Sequence, residues 1–318
     1  MESLIHLTDF SLRLKPKVVN LNNPQTEWNC THWTGMRRSA EEMGFEYHEI
    51  EARDATLSDV VSKLEEIQPD LVIYGMTDPI DKGWGAQIKA VTGCPGVLWY
   101  CDLANDGNMT KEQDLSGFID LMFLSNVGQI SMYEKRFNVK VMYLPQAVYP
   151  VDKPLFNPEY VTDIVFIGAI RGGYWTERTK VIEYLEKFYP VTIINGNSKE
   201  ERNHHYRLMP EYYGSAKICL DISGNWKVPY YCSNRYYVTT GLGGFCITRY
   251  FPGCEEIYPD GVGKRYFERG HEARRLINYY LKYPEERELV RTRGLEHAKK
   301  FHTYKHRWKA ILNTVLGA

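Results

Sequence analysis

The chain has 318 residues, 43% of them hydrophobic and 25% charged, with a formal net charge of −1. It is long for one domain and comfortable for two, with composition to build a large core. No stretch approaches the roughly eighteen uninterrupted apolar residues of a membrane span, which excludes integral membrane classes as an expectation. MESLIHLTDFSLRLKPKVV carries acids and bases where a secretory signal needs an apolar run, so a cytoplasmic setting is expected. Seven cysteines, at 30, 94, 101, 219, 232, 246 and 254, form no CxxC pair and several sit in apolar runs. That spacing fits reduced, mostly buried thiols better than disulfides or a zinc site.

Charge is uneven along the chain. Residues 1–145 hold 13 basic and 21 acidic side chains, a net −8, which leaves +7 for residues 146–318. The imbalance either places an anionic ligand on the back half or reflects solvated surface.

In chain order, residues 17–21 (KVVNL) predict a strand, 35–43 a helix closed by Gly44, and 45–50 an alternating strand. Residues 57–67 have helical spacing, 70–74 (DLVIY) read as a buried strand, 84–91 as a helix and 96–100 (GVLWY) as another buried strand. Strands at 120–124 and 140–143 follow, with a helix over 127–137 between them. Strands alternating with helices predict βαβ units and a parallel sheet. The rhythm breaks over 144–162, where four prolines and no period indicate a linker. It restarts with a strand at 163–168, a helix at 177–188, a strand at 191–194, a helix near 209–214 and a strand at 217–222. A helix from about Ser233 stops at Gly243-Gly244, then a strand (245–248) leads to a Pro252-Gly253 turn. From His271 onward the chain is helical, with a break at Pro284. The expected organisation is therefore an α/β chain of two Rossmann-like domains, 1–145 and 163–318, joined by a linker at 146–162. The terminal helices are expected to return to the front domain.

In open parallel sheets, loops at strand carboxyl ends face the ligand crevice. In the back half these loops hold Gly168 and Arg171, then Asn195, then Ser223, and finally Gly253, Glu255 and Glu256. Small residues after a strand let backbone approach a phosphate, Arg171 can add a bidentate contact, and a plain tight turn is the alternative. Asn195 can edge a nucleobase. Asn234 and Arg235 open a helix, where a diphosphate would meet its N-terminus, or where the arginine makes a surface ion pair. Glu255 and Glu256 can accept from ribose or sugar hydroxyls, or simply complement a helix dipole. On the front half, Asp102 and Asp106 follow the 96–100 strand and Asp78 follows the 70–74 strand. Asp102 is the first candidate for a general base, with Asp106 and His32 as further candidates. Trp84, with Asp78, is a candidate acceptor contact, whereas Trp99, inside a strand, suits core packing. His302 and His306 stand four apart, but no third ligand is evident, so no metal is expected.

Four stretches carry a family resemblance: DIVFIG…ERTKVIEYL (163–185), NRYYVTTGLGGFCITRYFPGCEEIY (234–258), INYYLKYPEERELVRTRGLEHAKKFHTYKHRWKAIL (277–312) and, in the front half, DLMFLSNVGQISMYEKRFNVKVMYLPQAVYP. Together they resemble the spore-maturation-type (CgeB-like) glycosyltransferases, with a glycosyltransferase family 1-like C-terminal domain. The resemblance implies a GT-B architecture, two Rossmann-like domains facing across a cleft. It also implies a nucleoside-diphosphate sugar, UDP-sugar first, as co-substrate on the back domain, no separate cofactor, and an acceptor hydroxyl on the front domain. On that reading Gly168, Arg171, Asn195, Ser223, Asn234, Arg235, Gly253, Glu255 and Glu256 hold the donor. The acceptor is an envelope, spore-surface or small-molecule hydroxyl; hydroxymethylated DNA is a lesser alternative, for which Lys15, Lys17, Arg37 and Arg38 would supply the patch. The sequence departs from the family at Val238, where related enzymes often carry a glutamate that holds the ribose, and at Tyr230, which also replaces an acid seen in relatives. That departure keeps open a non-catalytic sugar-nucleotide-binding protein, and a GT-B-like epimerase is a weaker enzyme alternative.

Overall fold

The computed structural model describes residues 15–22, 33–75, 78–103, 114–170 and 176–317, with the side chains of Trp33, Asp78 and Lys199 outside the description. The front half runs β1 (Lys17–Asn22), α1 (Trp33–Glu42), β2 (Glu46–Glu51), α2 (Leu57–Ile67), β3 (Leu71–Tyr74), α3 (Asp78–Asp81), α4 (Gly85–Thr92), β4 (Gly96–Tyr100), β5 (Leu121–Leu124), α5 (Ile130–Phe137) and β6 (Val141–Tyr143). Its sheet has the order β2-β1-β3-β4-β5-β6, and every pairing is parallel. The central strands β3 and β5 are buried throughout, as continuous apolar runs covered on both faces must be. α2 starts at Thr56, whose side chain accepts from the Asp59 amide while Asp59 accepts from the Thr56 amide, a closed capping box. One apolar layer lies on the α2/α4/α5 face of this sheet, around Leu64, Ile88 and Phe137.

The back half runs β7 (Ile164–Ile167), α6 (Thr176–Glu186), β8 (Thr192–Ile194), α7 (Lys199–Arg207), α8 (Met209–Ser215), β9 (Ile218–Asp221), α9 (Arg235–Gly241), β10 (Cys246–Arg249), α10 (Cys254–Ile257), β11 (Lys264–Phe267), α11 (Gly270–Lys282), α12 (Pro284–Phe301) and α13 (Tyr304–Val315). Its strands are ordered β11-β10-β9-β7-β8, again all parallel. α7 and β11 are among the elements that the sequence did not predict. α7 is almost wholly polar and is initiated by a Ser198–Glu201 capping box, and β11 has Lys264 and Arg265 in a strand of four residues. Lys264 is nonetheless fully buried, because its ammonium donates to the Tyr236 carbonyl (2.7 Å) and lies 4.0 Å from the Tyr236 ring centroid.

The chain crosses between the two sheets twice, and the crossings are tied together. Val148 donates to the His302 carbonyl (2.9 Å) and bridges Thr303, while Arg307 donates to the carbonyls of Pro145 (2.8 Å), Gln146 (2.9 Å) and Phe301 (3.3 Å). α13 then packs on the front domain, where the Trp308 indole donates to the Met36 carbonyl (2.9 Å) and stands edge-on to Phe45 and Tyr47. Tyr304 meets Trp99 in the same layer, so Trp99 is a core residue.

Three histidines sit at this junction. His297 and His302 each place Nε2 2.9 Å from the Ile257 carbonyl, and His302 Nδ1 accepts from Arg307. Burial lowers all three histidine pKa values, that of His306 to about 4 from an ordinary 6.5. Between 6.5 and the lowered values the unfolded chain takes up protons that the folded chain refuses, so stability falls as pH drops through that window. Thermal melts between pH 8 and pH 5 are expected to show a midpoint that declines from about pH 6.5 downward; a flat profile would contradict this account.

Candidate active site

Each sheet reverses its winding direction once: between β1 and β3 in front, and between β7 and β9 behind. The crevice outside the carboxyl ends of such a strand pair is where doubly wound sheets bind ligands. The two sets of carboxyl ends face each other. After β5, the Val127 amide donates to the Pro229 carbonyl (3.2 Å), and Gly128 lies against Val228 and Pro229. At the end of β6 the Tyr143 ring meets Tyr230, 5.6 Å between centroids.

Arg235, the first residue of α9, holds the back switch point together. It donates through Nε to the Ile167 carbonyl at the end of β7 (2.8 Å) and through Nη1 to the Ile222 carbonyl just past β9 (3.5 Å) and to Ser233 Oγ (3.4 Å). Its guanidinium also lies 4.7 Å from the Phe166 ring centroid. Beneath it Asp221, the last residue of β9, is 1% exposed, and its Oδ1 lies 3.8 Å from Nη1. Neither carboxylate oxygen of Asp221 has a hydrogen-bond partner among the described residues. A buried carboxylate without hydrogen bonds is costly unless a positive charge stands close, and Arg235 supplies it.

Arg235 Nη2 has no hydrogen bond among the described residues and lies directly over Gly168. Gly168 has φ +140°, and a Cβ there would run into Nη2. Glycine is therefore required twice over, by backbone and by space. Ser223 is buried and its Oγ accepts from the Ser233 amide (3.2 Å), closing the loop that presents α9. Asn234 occupies the N-cap position of α9 without a side-chain capping bond. Asn195 is exposed at the end of β8, next to the Ile194 carbonyl that accepts from the Gly168 amide (2.9 Å). Gly168, Asn195, Ser223, Asn234 and Arg235 thus assemble around one crevice, with Arg235 built into the fold and not standing as a surface ion pair.

The turn residues form a second cluster. Gly253 (φ +89°) and Tyr230 (φ +60°) pack against each other, and the Tyr230 amide donates to the Pro252 carbonyl (2.8 Å). The Glu256 carboxylate beside the Tyr230 hydroxyl pushes the Tyr230 pKa up to about 12. Glu256 is therefore engaged by Tyr230, while Glu255 is exposed in the first turn of α10, where it complements the helix dipole. Val238 is buried in α9 at 2% exposure within the apolar layer that also holds Tyr236 and Cys246.

On the front side Asp102 follows β4. It keeps solvent access yet sits deep enough for lost hydration to raise its carboxyl pKa above the ordinary value. The adjacent Cys101 carbonyl is pinned by Ser125 Oγ (2.7 Å) and Gln146 Nε2 (3.3 Å). Trp84 is half-buried at the start of α4 with the Lys82 ammonium 4.2 Å from its ring centroid, so one face of the ring is already covered. His32, Asp106 and Arg171 lie outside the described residues, as does the side chain of Asp78. His302 and His306 are junction residues, and no group of three or more metal-ligating side chains exists among the described residues. Of the DNA-directed patch, Lys17 pairs Glu46 (4.0 Å), Arg37 pairs Glu49 (3.2 Å) and Arg38 stacks on Tyr149. Asp221, which the sequence reading passed over as one letter of an apolar strand, joins the site through Arg235.

Residues 158–313 match the glycosyl transferase-like family. No curated protein matches the chain. Among solved structures it is similar to Anabaena HepE in complex with UDP and glucose, at 12% identity and a TM-score of 0.62 over 94% of this chain and 99% of that one. A glycosyltransferase from Rickettsia africae gives 10% identity and 0.62 over 95% and 99%. T4 phage BGT in complex with its UDP-glucose substrate gives 12% and 0.58 over 96% and 100%. At such identities the likeness establishes the fold, and the two parallel-sheet domains have the GT-B architecture. No helix among the described residues is long and apolar enough to cross a membrane.

Proposed function

We propose that the protein transfers a glycosyl group from a nucleoside-diphosphate sugar, UDP-sugar first, to an acceptor hydroxyl. The observation that carries this reading is the Gly168–Arg235–Asp221 cradle at the switch point of the glycosyl transferase-like domain. A guanidinium anchored from behind and the N-terminus of α9 offer positive potential where a diphosphate leaves. The UDP-sugar complexes of the structural relatives support the same choice of donor.

In a direct displacement the acceptor oxygen bonds to the anomeric carbon as that carbon's bond to the diphosphate oxygen breaks. The bonding pair departs with the diphosphate, and the acceptor proton passes to the Asp102 carboxylate. A raised Asp102 pKa makes that group a better proton acceptor, and the base is lost as pH falls through the raised value. Kinship to the CgeB-like group is part of the same proposal and rests on the 234–258 block.

Thermal stabilisation against a panel of nucleoside diphosphates and nucleotide sugars tests the donor. A ligand at about 100 times its dissociation constant stabilises by roughly 2.7 kcal/mol. Asp102→Asn is expected to bind the donor normally while transfer falls by about 10²–10⁴-fold. No selective response in the panel would remove the donor assignment. A second reading, a nucleotide-sugar binder without turnover, draws on the buried Val238 and on Tyr230, which already engages Glu256. It predicts stabilisation without donor hydrolysis or transfer to any acceptor tried.

A further inference from the structure

A groove of about 660 Å3 lies where the two domains and their linker meet, and its lining includes Leu242 at the far end of α9 from Arg235. Three of the segments that line it each bring a cation: Arg38 from α1, Lys153 from the linker and Arg207 from the end of α7. Asp152 is the only acid of the lining, and it stands beside Lys153. We propose that this groove is a binding site for a small phosphate-class anion that bridges the front domain to the linker and back domain.

Arg38 is the strongest part of the argument. Its guanidinium lies 4.4 Å from the Tyr149 ring centroid and makes no hydrogen bond or ion pair among the described residues. The ring beneath it is fixed in turn. The Tyr149 hydroxyl donates to Glu42, and Lys305 neutralises that carboxylate at 2.7 Å, holding its pKa below the ordinary value. Glu42 is thus committed to Tyr149 and Lys305, and Arg38, one turn away on α1, is left with its donor fork open. A stacked guanidinium with open donors is pre-arranged for bidentate recognition of a phosphate, and ordering it on binding costs little side-chain entropy. Lys153 likewise has no ion pair or hydrogen bond among the described residues. Arg38 and Lys153 bring like charges from two segments to one concavity, which raises the local potential, and an anion relieves their repulsion.

The site is separate from the proposed donor cradle, and its occupancy acts on a different property. An anion held at once by α1 and by the linker favours the domain arrangement in which Arg38 and Lys153 approach each other.

Calorimetric titration of the full chain with sodium pyrophosphate at low salt tests this, using three proteins in parallel: the wild type, R38Q/K153Q and R235Q. Both hinge-groove side chains are exposed, so the double variant is expected to melt like the wild type. The expected result is a binding event in the wild type that R38Q/K153Q weakens by about tenfold or more, the scale of one or two charge-assisted hydrogen bonds, and that R235Q retains. An isotherm unchanged in R38Q/K153Q, binding lost only in R235Q, or no heat from the wild type at millimolar pyrophosphate would each overturn the site. R235Q reads the donor cradle independently, so a failure there leaves the groove result intact, and the reverse also holds.

Discussion

Gly168→Ala is expected to reduce kcat/KM for a nucleotide sugar by about 100-fold or more while leaving the chain folded. Two constraints meet at this residue. Its φ of +140° is a conformation that side chains rarely adopt, at a cost of about 1–3 kcal/mol. Its added methyl would also occupy the space of Arg235 Nη2. The local cost can be absorbed by a domain with two apolar layers around the back sheet, but the guanidinium cannot stay where it is. Nε and Nη1 are held by the ends of β7 and β9, so the displaced atom is the one that faces the crevice. Arg235→Gln should therefore produce a loss of similar size, and the double variant should lose little more, because the two changes remove one interaction. Steady-state kinetics with a melting control for each variant checks this. Full activity in Gly168→Ala would show that the diphosphate does not use Arg235.

Arg307→Met is expected to destabilise the protein by about 3 kcal/mol or more. Replacing a buried ion pair by apolar residues is often harmless, because the desolvation cost of the charges disappears with them. Arg307 is a different case. Among the described residues its hydrogen bonds go to the carbonyls of Pro145, Gln146 and Phe301 and to His302 Nδ1, and the methionine would leave the buried Gln146 carbonyl and His302 Nδ1 without these donors. The effect should also be regional. Urea unfolding followed through Trp308 fluorescence and through far-ultraviolet circular dichroism should lose coincidence in the variant, as the two domains uncouple. Arg307→Lys should recover only part of the loss, since an ammonium lacks the planar fork that reaches both crossings.

The parts of this fold that were legible in the sequence are those in which local chemistry and burial agree. β4 and α2 were placed at their observed bounds because GVLWY is apolar throughout and Leu57–Ile67 has helical spacing. β11 was missed because KRYF presents two cations, and Lys264 is acceptable in the core only through the Tyr236 carbonyl and ring, 28 positions away. α7 was missed because it has no apolar stripe, so that its capping box was the sole local signal. Within the site, Gly168, Ser223 and Arg235 could be named from their positions at strand ends and at a helix start. What each one does was not legible. Ser223 closes a loop, Arg235 spans two strands, and Asp221 becomes part of the site only because a residue fourteen positions later folds over it. Glu256 illustrates the same limit, since its partner is Tyr230, held with φ at +60°.

The return of α13 to the front domain has a consequence for how the molecule is made. Tyr304 and Trp308 fill the front apolar layer beside Trp99, Phe45 and Tyr47. A ribosome delivers the six front strands first, yet the side chains that seal one face of that sheet emerge only after the entire back domain has been synthesised. Until then Phe45, Tyr47 and Trp99 have only α1, through Met36 and Ala40, in that layer and lack Tyr304 and Trp308. The half that is translated first is therefore the half completed last, and it must persist with an open apolar face for about 160 residues of elongation, on the order of ten to thirty seconds at ordinary translation speeds.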